Sequence, residues 1–349
     1  MKKVIFLPAD FAGCGQFRMI QPLRDLQKMD DKDVKFDLIH DFVENNLPAA
    51  QLLNVLRTYS AAVFQRVSSP GMLRIMRECK SLGMRVYLEI DDALFHVSKT
   101  NPAYKVWAPN SDSQKVLKEA LKIADKLLFS TEELANVFKQ PNVVFHNAID
   151  FENPIYSESN NRRNELPLDK KIVGWAGSSS HLDSLMQIKK PIKKLLSQRE
   201  DVLFALCSNR EFLDLFDVPD SKKIYIPHEP FEKWPPIMSM FDVNLATVVP
   251  GLFNSCKSEL KVLEAGVWGV PSVCTHEAPY NRFKKRSNGG NFTVYENNVN
   301  DWVNNINKLL DDEMLYIEMS KKTKNTVQTL YNLREINKKR IEFFKSELF

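Results

Sequence analysis

The chain predicts an α/β protein built from two parallel-sheet domains that face each other across a cleft. Three observations carry this reading. Short β-branched and apolar runs alternate with helical stretches through the first 150 residues, the alternation restarts near residue 170, and a polar stretch divides the two series.

In the first series, strands are read at 3–7, 35–40, 61–65, 84–90, 126–130 and 143–145, with helical patterns at 71–82 and 114–124. Strands spaced by helices of that length form a parallel sheet covered on both faces. Residues 151–170, FENPIYSESNNRRNELPLDK, have little apolar periodicity and read as the interdomain linker. The second series places strands at 171–177, 201–207, 222–227, 243–248 and 271–275. From about residue 304 onward the chain reads as polar helix with periodic Leu, Ile and Phe. The expected domains are 1–160 and 168–325, with a terminal helix within 326–349 crossing back to the first domain. Ligands of such sheets bind at the carboxyl ends of the strands, here facing the cleft.

At 349 residues the chain is long enough for two cores, and 44% hydrophobic with 26% charged residues is a globular profile. No apolar run reaches the roughly 18 residues of a membrane span. Two lysines before an apolar patch imitate a secretory signal at the N-terminus, but the patch is short and meets Asp10, so it reads as a first buried strand. Five cysteines, odd in number and without a CxxC pair, predict no disulfide framework and a reducing, cytoplasmic setting. Six histidines without HxH or HxxxH spacing predict no transition-metal site. A net charge of +4 neither demands nor excludes an anionic partner, and clusters such as Lys189-Lys190 and Lys284-Lys285-Arg286 read first as solvated faces.

The stretch from Phe253 to Val273, FNSCKSELKVLEAGVWGVPSV, carries the most information. Read as a helix over 255–267, it places Lys257, Lys261 and Glu264 on one face and Leu260, Leu263 and Val267 on another, with Gly266 and Gly269 ending it before a strand. Two ammoniums, with Ser258 between them, and a carboxylate further on suit a ligand with phosphates at one end and hydroxyls at the other. The competing reading is a solvated Lys/Glu face. Two glycine loops follow the first strands of the two series. In Gly13-Cys14-Gly15-Gln16-Phe17-Arg18 the glycines either admit backbone amides close to an anion or simply make a tight turn, with Arg18 near a helix start and Pro22 either kinking that helix or marking its first turn. As a dinucleotide fingerprint it is poor, because Arg18 replaces the third glycine and only Asp41, after His40, approximates a ribose reader. In Gly177-Ser178-Ser179-Ser180-His181, amides and hydroxyls offer donors to a diphosphate, and His181 reads equally as phosphate contact or cap neighbour. Asp91 and Asp92 close the fourth strand, where a carboxylate pair can touch a ligand or cap the next helix; they lack the spacer of a metal-binding DxD.

Together these segments resemble a glycosyltransferase of the GT-B fold, of the family 4 (group 1) type, with two Rossmann-like domains. EIDDALF, ADKLLFSTEEL, VVFHNAID, IVGWAGSSSH and KSELKVLEAGVWGVPSV match the family in order along most of the chain. The resemblance implies a nucleoside-diphosphate sugar donor, UDP-linked first in expectation, and no other cofactor or metal. It implies that Glu264 binds the ribose, that Lys257 and Lys261 face the diphosphate, and that transfer retains anomeric configuration. Cys256 stands where the family carries the first glutamate of E-x7-E, and Asp91-Asp92 where it carries a histidine. Asp91, Asp92 and Lys261 are the expected catalytic residues; Gly13, Gly15, Arg18, Gly177, Ser178, Ser179, His181, Lys257, Ser258 and Glu264 are the expected binding residues. The acceptor is either a glycan precursor or a hydroxymethylated base in DNA. Rival readings are a sugar-nucleotide epimerase of the same architecture, a non-catalytic nucleotide-sugar-binding protein and, weakest, an NAD-dependent oxidoreductase.

Overall fold

The computed structural model describes residues 1–39 and 54–349. His40 and Asp41 lie outside the described residues. Among the described residues, two six-stranded sheets, all of whose pairings are parallel, make the frame. The first contains β1 (Lys2–Leu7), β2 (Val34–Leu38), β3 (Ala61–Gln65), β4 (Arg85–Ile90), β5 (Lys126–Phe129) and β6 (Asn142–Val144), in the order β2-β1-β3-β4-β5-β6. The second contains β7 (Lys171–Ala176), β8 (Val202–Cys207), β9 (Lys223–Ile226), β10 (Val243–Ala246), β11 (Ser272–Thr275) and β12 (Asn291–Val294), in the order β12-β11-β10-β7-β8-β9. Central strands are apolar at successive positions because helices cover both faces; β8 is buried at every residue. Eleven strands match the sequence reading to within about two residues. β12 was not foreseen: Asn-Phe-Thr-Val is short, follows two glycines and shows no apolar run, and its pairing with β11 makes it a strand.

Helix α1 (Gln21–Met29) continues a π-helical stretch, Gln16–Ile20, and Pro22 lies in its first turn, where a missing N–H disturbs least. Then come α2 (Pro70–Ser81), α3 (Asp112–Ile123), α4 (Glu132–Val137) and α5 (Lys189–Gln198), followed by α6 (Leu260–Val267) and α7 (Ala278–Arg286). Three helices end the chain: α8 (Val299–Asp311), α9 (Glu313–Leu330) and α10 (Leu333–Leu348). None of the helices among the described residues is long and apolar enough to cross a membrane.

The polar stretch after β6 is not an extended tether. It forms short 3₁₀ turns, buries Tyr156, and pairs Arg163 with Asp242 at 3.0 Å, so it is fastened to the second sheet. Gly266 lies inside α6 rather than ending it: a Cβ there would stand 2.6 Å from Thr323 and 2.8 Å from Val327, so the glycine lets α9 lie close against α6. Gly269, at φ +71°, takes the left-handed turn that ends the segment.

The chain passes between the two halves twice, side by side. Ile149 donates its N–H to Tyr331 at 2.8 Å, and Leu333 donates to Ile149 at 2.9 Å. Beyond this double crossing α10 lies on the first sheet, where Phe344 meets Phe36 at 5.6 Å and Tyr87 at 5.4 Å between ring centroids.

Candidate functional site

The carboxyl end of β7 builds the best-defined part of the site. Trp175, fully buried, donates from Nε1 to the Thr247 hydroxyl at 3.0 Å and offers its ring face to the Lys261 ammonium 4.5 Å away. Lys261 also donates to the Ala176 carbonyl. A Cβ on Gly177 would stand 2.7 Å from the Lys261 Nζ and 2.6 Å from the Trp175 ring, so only glycine leaves room for this lysine. Ser178 and Ser179 follow as exposed hydroxyls, and a single turn, Ser179–His181, carries the loop on. Burial holds the His181 imidazole well below its usual range, and the charges of Lys261 and Lys257 add to the effect.

The continuous helix expected over 255–267 does not form. A short turn, Leu252–Ser255, ends before four non-helical residues, and α6 starts at Leu260. Tertiary contacts take the groups that a helix would use. Cys256 is fully buried among apolar side chains of the first half, its carbonyl accepts from the Thr131 hydroxyl at 2.8 Å, and the Lys257 carbonyl accepts from Arg282 at 2.9 Å. Glu259, just ahead of α6, is 1% exposed and binds Arg282 at 2.6 Å and Arg286 at 3.2 Å. Lys257 therefore does not share a helical face with Lys261; it reaches across to Asp92, at 3.0 Å, and lies 4.5 Å over the Phe253 ring. Ser258 accepts from Asn147 of the first half at 2.7 Å.

Glu264 sits one turn into α6 and is 5% exposed. It accepts from the Trp234 indole N–H at 2.8 Å. Burial pushes its carboxyl above the usual range, with Lys261 and the indole pulling the other way. The same burial pulls the Lys261 ammonium below the ordinary lysine range, opposed by Glu264 and reinforced by Lys257. Trp234 is fixed from two sides, by the His228 ring at 4.9 Å and by the following proline pair, whose Pro235 carbonyl accepts from Trp268 at 2.9 Å.

Across the seam, Asp91 and Asp92 follow β4 but differ in their surroundings. Asp91 is 8% exposed, with Arg66 3.5 Å away and the Cys14 thiol beside it. Burial opposes its ionisation, yet Arg66, Cys14, Arg18 and Lys257 outweigh burial and hold it below the carboxylate range. Arg66, a non-glycine residue at φ +42°, is clamped by Asp10 and Asp91.

The first glycine loop takes the tight-turn alternative and not the ligand loop. The amides of Ala12 and Gly15 donate to the Asp10 carboxylate at 3.0 and 3.1 Å, and a Cβ on Gly15 would collide with the Asp10 carbonyl, so Gly15 permits a tight turn rather than an anion cradle. Gly13, by contrast, has open space where a side chain would stand. Arg18 is not an anion contact in this structure: it is 3% exposed, pairs with Glu89 at 2.6 Å and donates to the Phe145 carbonyl and to Asn147. A buried guanidinium needs such partners, and they leave it facing the interior.

The structure thus brings Gly177, Ser178, Ser179, His181, Lys261 and Glu264 to one end of the second sheet, with Lys257 and Ser258 tied to the first half. Sequence reading missed Trp175, Trp234, Arg66 and Glu259. The tryptophans had one legible signal, their position beside a glycine loop and a proline pair. Glu259 had none, because its partners are distant in the chain. Among the described residues, no three His, Cys, Asp or Glu side chains gather as metal ligands would.

Scans against protein-family models and curated proteins return no match. Solved structures do match. HepE from Anabaena, in complex with UDP, superposes over 99% of this chain and 100% of its own with a TM-score of 0.71 at 13% identity. The fold is GT-B. A glycosyltransferase from Rickettsia africae shares this GT-B frame over 99% of this chain and 98% of its own, with a TM-score of 0.67 at 10% identity. Sucrose-phosphate synthase from Thermosynechococcus elongatus does so over 99% of both chains, with a TM-score of 0.64 at 11% identity. In the GT-B frame the seam lined by Lys257 and Asp92 is where the carboxyl ends of the two sheets meet.

Proposed function

We propose that this protein is a glycosyltransferase that moves a sugar from a nucleoside-diphosphate sugar, UDP-linked, to a hydroxyl acceptor. The observation that carries the reading is the close packing of Lys261 against Trp175, Ala176 and Gly177, one turn of helix from Glu264. It sets a positive charge beside a serine-rich loop, at a distance along the helix from a carboxylate that suits phosphate and ribose respectively. HepE, which has this fold, was solved with UDP-glucose as well as with UDP, in agreement with that donor class.

In this reading Lys261, Lys257 and the Gly177–His181 loop bind the diphosphate and stabilise the charge that develops on it as the glycosidic bond breaks. Because lysines supply that charge, no divalent metal is required. Glu264 accepts from the ribose hydroxyls, and Asp91 and Asp92 face the sugar and acceptor. Retention of configuration rests on the family resemblance. Residues 1–160 would form the acceptor side and 168–325 the donor side. A donor-hydrolysis screen across UDP-, GDP-, ADP- and TDP-sugars tests the proposal; no hydrolysis or transfer from any of them would sink it.

Two further outcomes are expected. Phenylalanine in place of Trp234 keeps the ring but removes the N–H that fixes Glu264. Losing the hydrogen bond that orients the proposed ribose-binding carboxyl should weaken UDP binding about tenfold, read by calorimetric titration, with kcat within about twofold of the parent. UDP affinity should also fall as pH rises from neutrality toward the ordinary lysine pKa of about 10.4, because the depressed Lys261 ammonium loses its proton inside that window. The slope should flatten in Lys261→Met; an unchanged slope would assign the titration to another group.

A further inference from the structure

Among the described residues, the Lys257–Asp92 ion pair joins the proposed donor side to the opposite half at the site, beside another cross-half pair, Arg282 with Glu133 at 2.5 Å. Lys257 Nζ lies 3.0 Å from Asp92 Oδ1, with the two side chains 19% and 20% exposed. Their neighbours differ in how tightly they are held. Asp91, next in the chain, is fixed by Arg66 and accompanied by Cys14, whereas Lys257 is the one ion-pair partner found for Asp92 among the described residues. The backbone there is anchored, since the Asp92 carbonyl accepts from Leu94 at 2.8 Å and a single turn, Leu94–His96, follows. Lys257 is anchored likewise by its carbonyl bond to Arg282, while its ammonium, a compact charge with three donors on a flexible stem, rests on the Phe253 ring. Only the two side-chain ends are free to change partners.

Building on the reading that Lys257 contacts the donor diphosphate, we propose that the diphosphate and Asp92 compete for this ammonium, so that donor binding detaches the Asp92 carboxylate and exposes it to the cleft. A diphosphate carries more negative charge than a carboxylate and presents several acceptor oxygens, so the exchange favours the phosphate. The other charged or titratable groups facing the pair are Arg66, Asp91 and Cys14 from the first half and Cys256, His181 and Lys261 from the second. The positive members draw the diphosphate to the same place, and the pair then serves as an interlock: the carboxylate becomes available only with the donor in place.

The competition makes a prediction of unusual sign. Removing a carboxylate from the site should tighten UDP binding. Titration of UDP into the intact protein and into Asp92→Asn should show about fivefold tighter binding for the variant, the upper end of what a pair about one-fifth exposed contributes. Lys257→Met should weaken binding, and adding Asp92→Asn to Lys257→Met should give no tightening. Carbodiimide labelling read by mass spectrometry should modify Asp92 more readily with UDP present than without. Equal or weaker UDP binding by Asp92→Asn, or labelling that UDP leaves unchanged, overturns the interlock even where Lys257→Met still weakens binding and the donor assignment stands. No loss with Lys257→Met removes the diphosphate contact itself, and the interlock with it. Thermal melting of each variant separates these outcomes from misfolding.

Discussion

Methionine in place of Lys261 is expected to lower donor turnover about 10²–10³-fold while leaving the protein folded, the size seen when one group that stabilises transition-state charge is lost. The methionine stem keeps the packing on Trp175 and the space left by Gly177, so the change is one of charge. Stability should hold or rise. The ammonium is buried beside a carboxyl that burial has pushed toward its neutral form, so removing it relieves a desolvation penalty. The Ala176 carbonyl loses a donor in exchange, worth about 1 kcal/mol in the opposite direction. Turnover of the sugar donor selected by the hydrolysis screen, measured together with thermal melting, reads both quantities. A loss of less than about tenfold in a folded variant would take Lys261 out of the charge-stabilising role.

The second large effect lies far from the site. Phe344→Ala should destabilise the protein by about 3–5 kcal/mol, the range for deleting a buried phenylalanine ring. Phe344 is 1% exposed on α10, and its ring meets Phe6, Phe36, Tyr87 and Phe343. It fixes the terminal helix on the sheet opposite the one that the preceding helices cover. Neighbouring polar contacts point the same way: Asn337 donates to the Pro22 carbonyl at 2.9 Å and to Asp25 at 2.8 Å, and Lys126 pairs with Glu347 at 2.5 Å. Urea unfolding followed by tryptophan fluorescence measures the loss. A change below about 1 kcal/mol would mean that α10 is not docked as described.

The alternation of buried strands with helices was legible because each central strand is apolar along its length, a local property. β12 escaped because its strand character comes from pairing with β11 and not from composition. The segment around residue 260 shows both sides of the matter. Its lysines, its glutamate and the glycine turn at Gly269 were readable, whereas Gly266 lies inside the helix. Its break at Cys256–Glu259 was not, because periodicity favours one helix and the interrupting partners are Thr131, Arg282 and Arg286, distant in sequence. Arg18 failed for the same reason: an arginine after two glycines invites an anion, and Glu89 and Asn147 claim it from elsewhere in the first half.

Order of elements, parallel pairing and the chemical kinds of side chain at each strand end follow from local pattern, since burial on two faces and tight turns constrain which residues stand where. Which charged groups remain available to a ligand follows from long-range contacts. A lysine or arginine is defined as a site by the partners it lacks, and those partners come from parts of the chain that only folding brings near.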